Sequence, residues 1–157
     1  MLRVLFVCTG NICRSAAAEG VLRKLATEAG LDDRVEIDSA GTGHWHVGEP
    51  PDRRMRDAAA DRGYDITAQR ARAIEPADAG RFDYLIAMDN GHMRFLEAMR
   101  DGSDDARPQL FMDFAPDSDH REIPDPYYGG PQDYEFALDL IEVASSGLMD
   151  EIKSKLG

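Results

Sequence analysis

Apolar residues run almost without interruption from Leu2 to Val7, broken only by Arg3, so the segment reads as a strand buried on both faces of a parallel sheet. Beyond it, Ala18, Val21, Leu22, Leu25 and Ala29 mark one face of a helix, which Gly30 can end where a positive φ is needed. Val35 to Ala40 alternates and predicts a second strand, stopped by Gly41. Strand, helix and strand in this order make a parallel crossover, right-handed in nearly every protein. A helix from about Asp52 to Arg62 follows and ends at Gly63; the basic, irregular stretch from Asp65 to Arg81 holds a short helix after Pro76. Tyr84 to Met88 is a third strand, and Asp89 can cap a helix that runs to about Met99. Pro108 to Met112 reads as a short edge strand, and Asp113 to Pro131, rich in Asp, Pro and Gly, as a long loop of the kind that often carries function. Phe136, Leu140, Ile141, Ala144, Leu148, Ile152 and Leu156 space out the buried face of a last helix, with Gly147 a weak point inside it.

This is an α/β pattern without repeat, linker or low-complexity tract, so residues 1–157 are expected to form one domain, long enough to bury roughly two thirds of its unfolded surface. Thirty acidic against 18 basic side chains give a formal charge of −12, which repels nucleic acid and anionic membranes. Two cysteines five apart do not suggest a secreted disulfide framework. No apolar run approaches the roughly 20 residues of a membrane span, and Met1 to Arg3 lead straight into the first strand. The chain is therefore read as cytoplasmic.

Candidate chemistry sits where the first strand meets the first helix, in Cys8-Thr9-Gly10-Asn11-Ile12-Cys13-Arg14-Ser15. A strand that turns into a helix aims successive main-chain N–H groups, and the positive end of the helix dipole, at one point. In an open α/β sheet that point lies at the carboxyl edge, where ligands bind. Cys8 would be favoured there as the thiolate, with the Ser15 hydroxyl as a further donor. Arg14 offers a planar fork for two phosphate oxygens, and its place at a helix start argues for a bound anion over a pairing with one of the many surface carboxylates. Gly10 and Asn11 serve the loop, asparagine tolerating left-handed backbone. A nucleophilic sulfur under a phosphate cradle means phosphoryl transfer to cysteine. A zinc site of Cys8, Cys13, His44 and His46 fits poorly, because its intervals are wrong for a usual finger and Arg14 would oppose a dication. From the residues alone the acid is open among Asp113, Asp117, Asp119 and Asp125. Asp125 differs in being followed by the stiffening Pro126 and by Tyr127 and Tyr128. Those tyrosines, Trp45 and Ile12 would wall a flat ring. His46, beside Trp45, has two readings, tuning which substrates fit or lying exposed to solvent, and the second is favoured.

The Cys8 to Ser15 segment resembles the phosphate-binding loop of the low-molecular-weight protein tyrosine phosphatases, and Asp125-Pro126-Tyr127-Tyr128 resembles their general-acid loop. Ser39 to Thr42, Trp45 and Phe82 to Asp89 fall in the family's order, so the resemblance covers essentially the whole chain. With it, the expected architecture is an open parallel four-stranded sheet, flavodoxin-like or Rossmann-like, in the order 2-1-3-4 with helices on both faces. The resemblance implies hydrolysis of phosphotyrosine through Cys8, Arg14 and Asp125, with Thr9, Gly10, Asn11, Ile12, Cys13, Ser15, Trp45, Tyr127 and Tyr128 binding substrate. It implies no metal or other cofactor, oxyanions such as inorganic phosphate in the loop, and tyrosine-phosphorylated proteins as partners, among them the tyrosine kinases of polysaccharide export on which bacterial relatives often act. It favours a reversible Cys8–Cys13 disulfide over a Cys13 that only lines the loop. Arsenate reductases and arginine phosphatases look similar, but the former need further cysteines and the latter carry threonine at the position of Ile12 and lack the paired tyrosines. Ala16 stands where the family usually has proline, a change expected to loosen the helix start slightly.

Overall fold

The computed structural model describes residues 1–100, 102 and 105–157. Strands β1 (Leu2–Cys8), β2 (Val35–Gly41), β3 (Tyr84–Ala87) and β4 (Pro108–Leu110) form one parallel sheet in the order β2-β1-β3-β4. Helices lie on both faces, as expected for this open α/β class. Alternate residues of β1 explain its apolar run. Val4, Phe6 and Cys8 pack with α1 (Arg14–Glu28), α2 (Arg53–Asp61) and α5 (Pro131–Leu156), while Leu5 and Val7 pack with α3 (Asp78–Arg81) and α4 (Asn90–Met99). Gly30 and Gly63 take φ of 71° and 88° just beyond α1 and α2, and Asp52 and Asp89 cap α2 and α4 through side-chain bonds from Arg54 N and His92 N. Among the described residues no helix is long and apolar enough to cross a membrane.

Three expectations need correction. The edge strand stops at Leu110, and the chain turns into a 3-10 helix, Phe111–Phe114, which takes Asp113 out of the long loop. A strand would send Phe111 and Met112 to opposite faces, whereas the 3-10 turn buries both in the cluster beneath α1 and α5, Phe111 lying 4.9 Å from the Phe6 ring. Phe136 is not on the buried face of α5; it is partly exposed and packs edge-on against His120. That face begins two residues earlier, at Tyr134, and continues through Ala137 and Leu138.

Gly147 is a point of close approach, not merely a weak spot. A Cβ there would lie 1.8 Å from the Phe114 carbonyl oxygen, so glycine lets the 3-10 turn cross the last helix. Gly147→Ala trades a small gain in helix propensity for an overpacked contact with backbone. It is expected to cost about 1–3 kcal/mol and to lower Tm by roughly 2–12 °C, read by calorimetry. An unchanged or raised Tm would show that the crossing has slack.

Candidate active site

Cys8 ends β1 at the sheet's centre, and α1 begins six residues later at Arg14. The turn between them is held from outside. Thr42 N donates to Cys8 O (2.8 Å), Gly43 N to Thr9 O (3.0 Å) and Asp52 N to Ile12 O (2.7 Å). Gly41 permits this strapping, since a Cβ there would stand 2.7 Å from Thr9 O. With the carbonyls of Cys8, Thr9 and Ile12 committed to the scaffold, the turn keeps the main-chain N–H groups of Thr9 to Cys13 without an acceptor among the described residues. Asn11 has φ 59°, the left-handed geometry expected for it.

The buried amide of Asn11 also sets the direction of every proton behind the sulfur. Its Oδ1 accepts from Arg72 N (3.0 Å), so its Nδ2 donates, to Ser15 Oγ (2.8 Å) and to Ser39 Oγ (2.9 Å). Ser39 passes its own proton to Glu19 Oε1 (2.6 Å), a carboxyl whose pKa burial raises against the pull of Ser39 and Arg23. Ser15 already accepts from Asn11, and its proton is left to point at Cys8 Sγ, 2.9 Å away. Ser15 is the second residue of α1 and makes no capping bond, so its hydroxyl serves the sulfur and not the helix end.

Arg14 is buried at 4% side-chain exposure. Contrary to the sequence reading it does pair with a carboxylate: its Nη1 donates to Asp89 Oδ2 (2.9 Å) and to Ile123 O (2.8 Å). Asp89 lies two residues beyond β3, the strand next to β1, at the cap of α4, which places it beside the loop. Burial opposes its ionisation, but the His92 N–H and the guanidinium outweigh that and hold its carboxyl below the usual range. Both protons of Nη1 thus go to protein, leaving the Nε and Nη2 edge as the fork for two oxygens.

Asp125 approaches from the loop before α5. Its Oδ2 lies 3.7 Å from Arg14 Nη2, and its Oδ1 accepts from Tyr127 N (3.1 Å). A cavity of about 310 Å³ joins these parts. Cys8, Thr9, Gly10, Ile12, Cys13 and Arg14 line it together with Trp45, His46, Asp125, Tyr127 and Tyr128. Buried side chains such as Cys8 and Arg14 lie deep, whereas Trp45 and Tyr128, at 70% and 92% exposure, stand at the rim. Of the residues expected in the site only Asn11 and Ser15 do not line it; they support it from behind. Tyr127 is held edge-on to Tyr128, ring centroids 5.0 Å apart, with the Arg54 guanidinium over its ring.

Cys8 and Cys13 are both free thiols, and burial pushes the Cys13 thiol well up. Ala16 leaves the helix start intact, with Ala17 N bonded to Cys13 O at 3.0 Å. Sequence reasoning missed Asp89 as the partner of Arg14, and it missed Ser39, Glu19, Arg72 and His92. For Asp89 a signal existed: a residue that follows the strand beside β1 and caps the next helix lies at the same edge of the sheet as the loop. The others are brought in by β2, a loop and two helices whose docking no local pattern encodes.

The model of the low molecular weight phosphotyrosine protein phosphatase family matches residues 3–156. A low molecular weight protein-tyrosine-phosphatase of Streptomyces coelicolor is 41% identical over 98% of this chain and 95% of its own length. The structure superposes on a protein tyrosine phosphatase of Entamoeba histolytica, solved with Hepes in the active site, with a TM-score of 0.94 at 34% identity over the full length of both chains. It also superposes on an arginine phosphatase of Drosophila, TM-score 0.90 and 31% identity over 98% of each chain. A match this complete in sequence and fold leaves one conclusion: the chain belongs to the low molecular weight phosphotyrosine protein phosphatase family, whose members are phosphoric monoester hydrolases.

Proposed function

We propose that this chain, acting as a single domain in the cytoplasm, hydrolyses phosphotyrosine in proteins, and simpler aryl phosphates, through a phosphocysteine on Cys8. The observation that carries the reading is the convergence on one cavity of Cys8 Sγ, with the Ser15 hydroxyl at 2.9 Å, the open edge of Arg14, and Asp125 at 3.7 Å from that edge. Phosphate sits on the N–H groups of the Thr9 to Cys13 turn and on Nε and Nη2 of Arg14, which meet the charge on its equatorial oxygens without a metal. The Cys8 thiolate attacks phosphorus in line; the P–O ester bond breaks, and Asp125 gives its proton to the departing phenolate. Asp125, now a carboxylate, takes a proton from water as that water attacks phosphorus. The P–S bond breaks, inorganic phosphate leaves, and the Ser15 hydroxyl steadies the returning thiolate. Reach selects the substrate: Cys8 is 3% exposed, so a tyrosyl phosphate passes between Trp45, Tyr127 and Tyr128 where a seryl phosphate stops short. Phosphorylated tyrosine kinases would suit such a site as protein substrates.

The Drosophila neighbour gives the arginine phosphatase reading a specific footing. Against it stand Ile12 and the paired tyrosines lining the cavity. An arsenate reductase relay needs a further thiol, and the chain has only Cys8 and Cys13. One assay without added metal separates the three: release of phosphate from phosphotyrosine and phosphoarginine peptides, and arsenite from arsenate with thioredoxin. Phosphotyrosine is expected to be turned over at least about tenfold faster, in kcat/KM, than phosphoarginine, about 1.4 kcal/mol in the transition state. A preference for phosphoarginine would overturn the reading.

A further inference from the structure

We propose that His92 is a positioning residue for the phosphate loop: its ring holds the Thr9 hydroxyl, so that the loop's first and last members, Thr9 and Arg14, are fixed to the same helix start. The inference rests on the reading of the loop as the phosphate site. His92 lies in the first turn of α4 and is 4% exposed, yet it is neither core filler nor part of the cavity lining. Its Nε2 lies 2.9 Å from Thr9 Oγ1. Its main-chain N–H donates to Asp89 Oδ1 at 3.0 Å, and the other oxygen of Asp89 accepts from Arg14 at 2.9 Å. One carboxylate and one imidazole, three residues apart, therefore bracket the loop. Asp89 fixes the guanidinium and His92 fixes the residue after the nucleophile.

The direction of the Thr9 bond follows from the neighbours. Nδ1 of His92 lies 3.2 Å from Asp89 Oδ1 but is too poorly aligned to bond to it. The carboxylate still favours a proton on that nitrogen, which leaves the Nε2 lone pair to accept from the Thr9 hydroxyl. Burial lowers the ring's pKa to about 4, against the pull of Asp89 and with Arg14 adding to the shift, so the ring is neutral at neutral pH. Thr9 O is bonded to Gly43 N. With its hydroxyl tied to His92 as well, Thr9 has main chain and side chain anchored on opposite sides. Releasing one anchor lets the first peptides of the loop turn, and their N–H groups lose aim at the phosphate.

Trp45, the only tryptophan and a rim residue, reports inorganic phosphate binding by fluorescence, and a double-mutant cycle of Thr9→Val and His92→Ala tests the link. Each single substitution is expected to weaken phosphate roughly 3–10-fold, and the double to be no weaker than the worse single, as for partners in one bond. His92→Gln, whose amide oxygen accepts from the same hydroxyl, should restore most of the loss. The imidazole 15N resonances of His92 should show the proton on Nδ1 and an Nε2 signal that moves in Thr9→Val, a variant of an exposed side chain that spares the core. Additive losses, unchanged phosphate affinity in Thr9→Val, or a proton on Nε2 would each overturn the assignment. Turnover of phosphotyrosine by the wild-type protein is measured separately. A protein that binds phosphate but does not hydrolyse the ester would sink the activity and leave the His92 assignment to be decided by the cycle.

Discussion

Cys8→Ser is expected to abolish turnover of tyrosine phosphate, by on the order of 10⁴–10⁶, while inorganic phosphate still binds. Serine keeps the shape of the side chain but replaces sulfur with a hydroxyl that is far harder to ionise and a poorer nucleophile toward phosphorus. The cradle does not depend on the sulfur. Asn11 remains bonded to Arg72 N, Ser39 and Ser15, and Arg14 remains bonded to Asp89 and Ile123. Binding and chemistry should therefore separate, with phosphate affinity read by fluorescence and turnover by phosphate release. Acid-quenched wild-type enzyme should carry phosphate on Cys8, and the variant none. Appreciable turnover by Cys8→Ser would move the nucleophile elsewhere and dissolve the role given to Ser15.

Asp125→Ala should lower kcat by about 10²–10⁴ on phenyl phosphates, the range general acid catalysis supplies. The loss should depend on the leaving group. Phenolates of high basicity need the proton as the ester bond breaks, whereas nitrophenolate departs almost unaided, so the variant's rate should climb steeply with leaving-group acidity. The structure supports Asp125 over the other acids of its region because its carboxyl lines the cavity and is fixed by Tyr127 N, while Asp113 is part of the 3-10 turn. Its side chain is 45% exposed, open to the water that completes the cycle. Near-normal kcat on phenyl phosphate, with no steepened leaving-group dependence, would assign the proton to another group.

How far each part was legible depends on whether its cause is local. The strand at Leu2 to Cys8, the helix ends at Gly30 and Gly63 and the cap at Asp89 follow from runs of apolar residues, backbone freedom and a short acceptor side chain, all properties of a few neighbouring residues. Phe111, Met112 and Phe136 were misplaced because an apolar residue at a boundary fits a strand, a 3-10 turn or a helix face equally well until its packing partners are known. Gly147 shows the same limit from the other side. Propensity calls it a defect, and only the Phe114 carbonyl explains it. In the site, the turn from Cys8 to Ser15 was readable because strand, loop and helix are contiguous.

Sequence by itself determined the α/β class and the segment that holds sulfur, amides and guanidinium together, because those groups are neighbours along the chain and their geometry comes from one strand-to-helix turn. Tertiary structure alone decided what aims them. Asp89 and His92 come from the cap and first turn of α4, just beyond β3, Ser39 from β2, and Arg72 from a loop that crosses behind Asn11. Hydrogen bonds act over about 3 Å, so the groups that orient the loop are chosen by which strands and helices lie side by side, and sequence distance carries no trace of that choice.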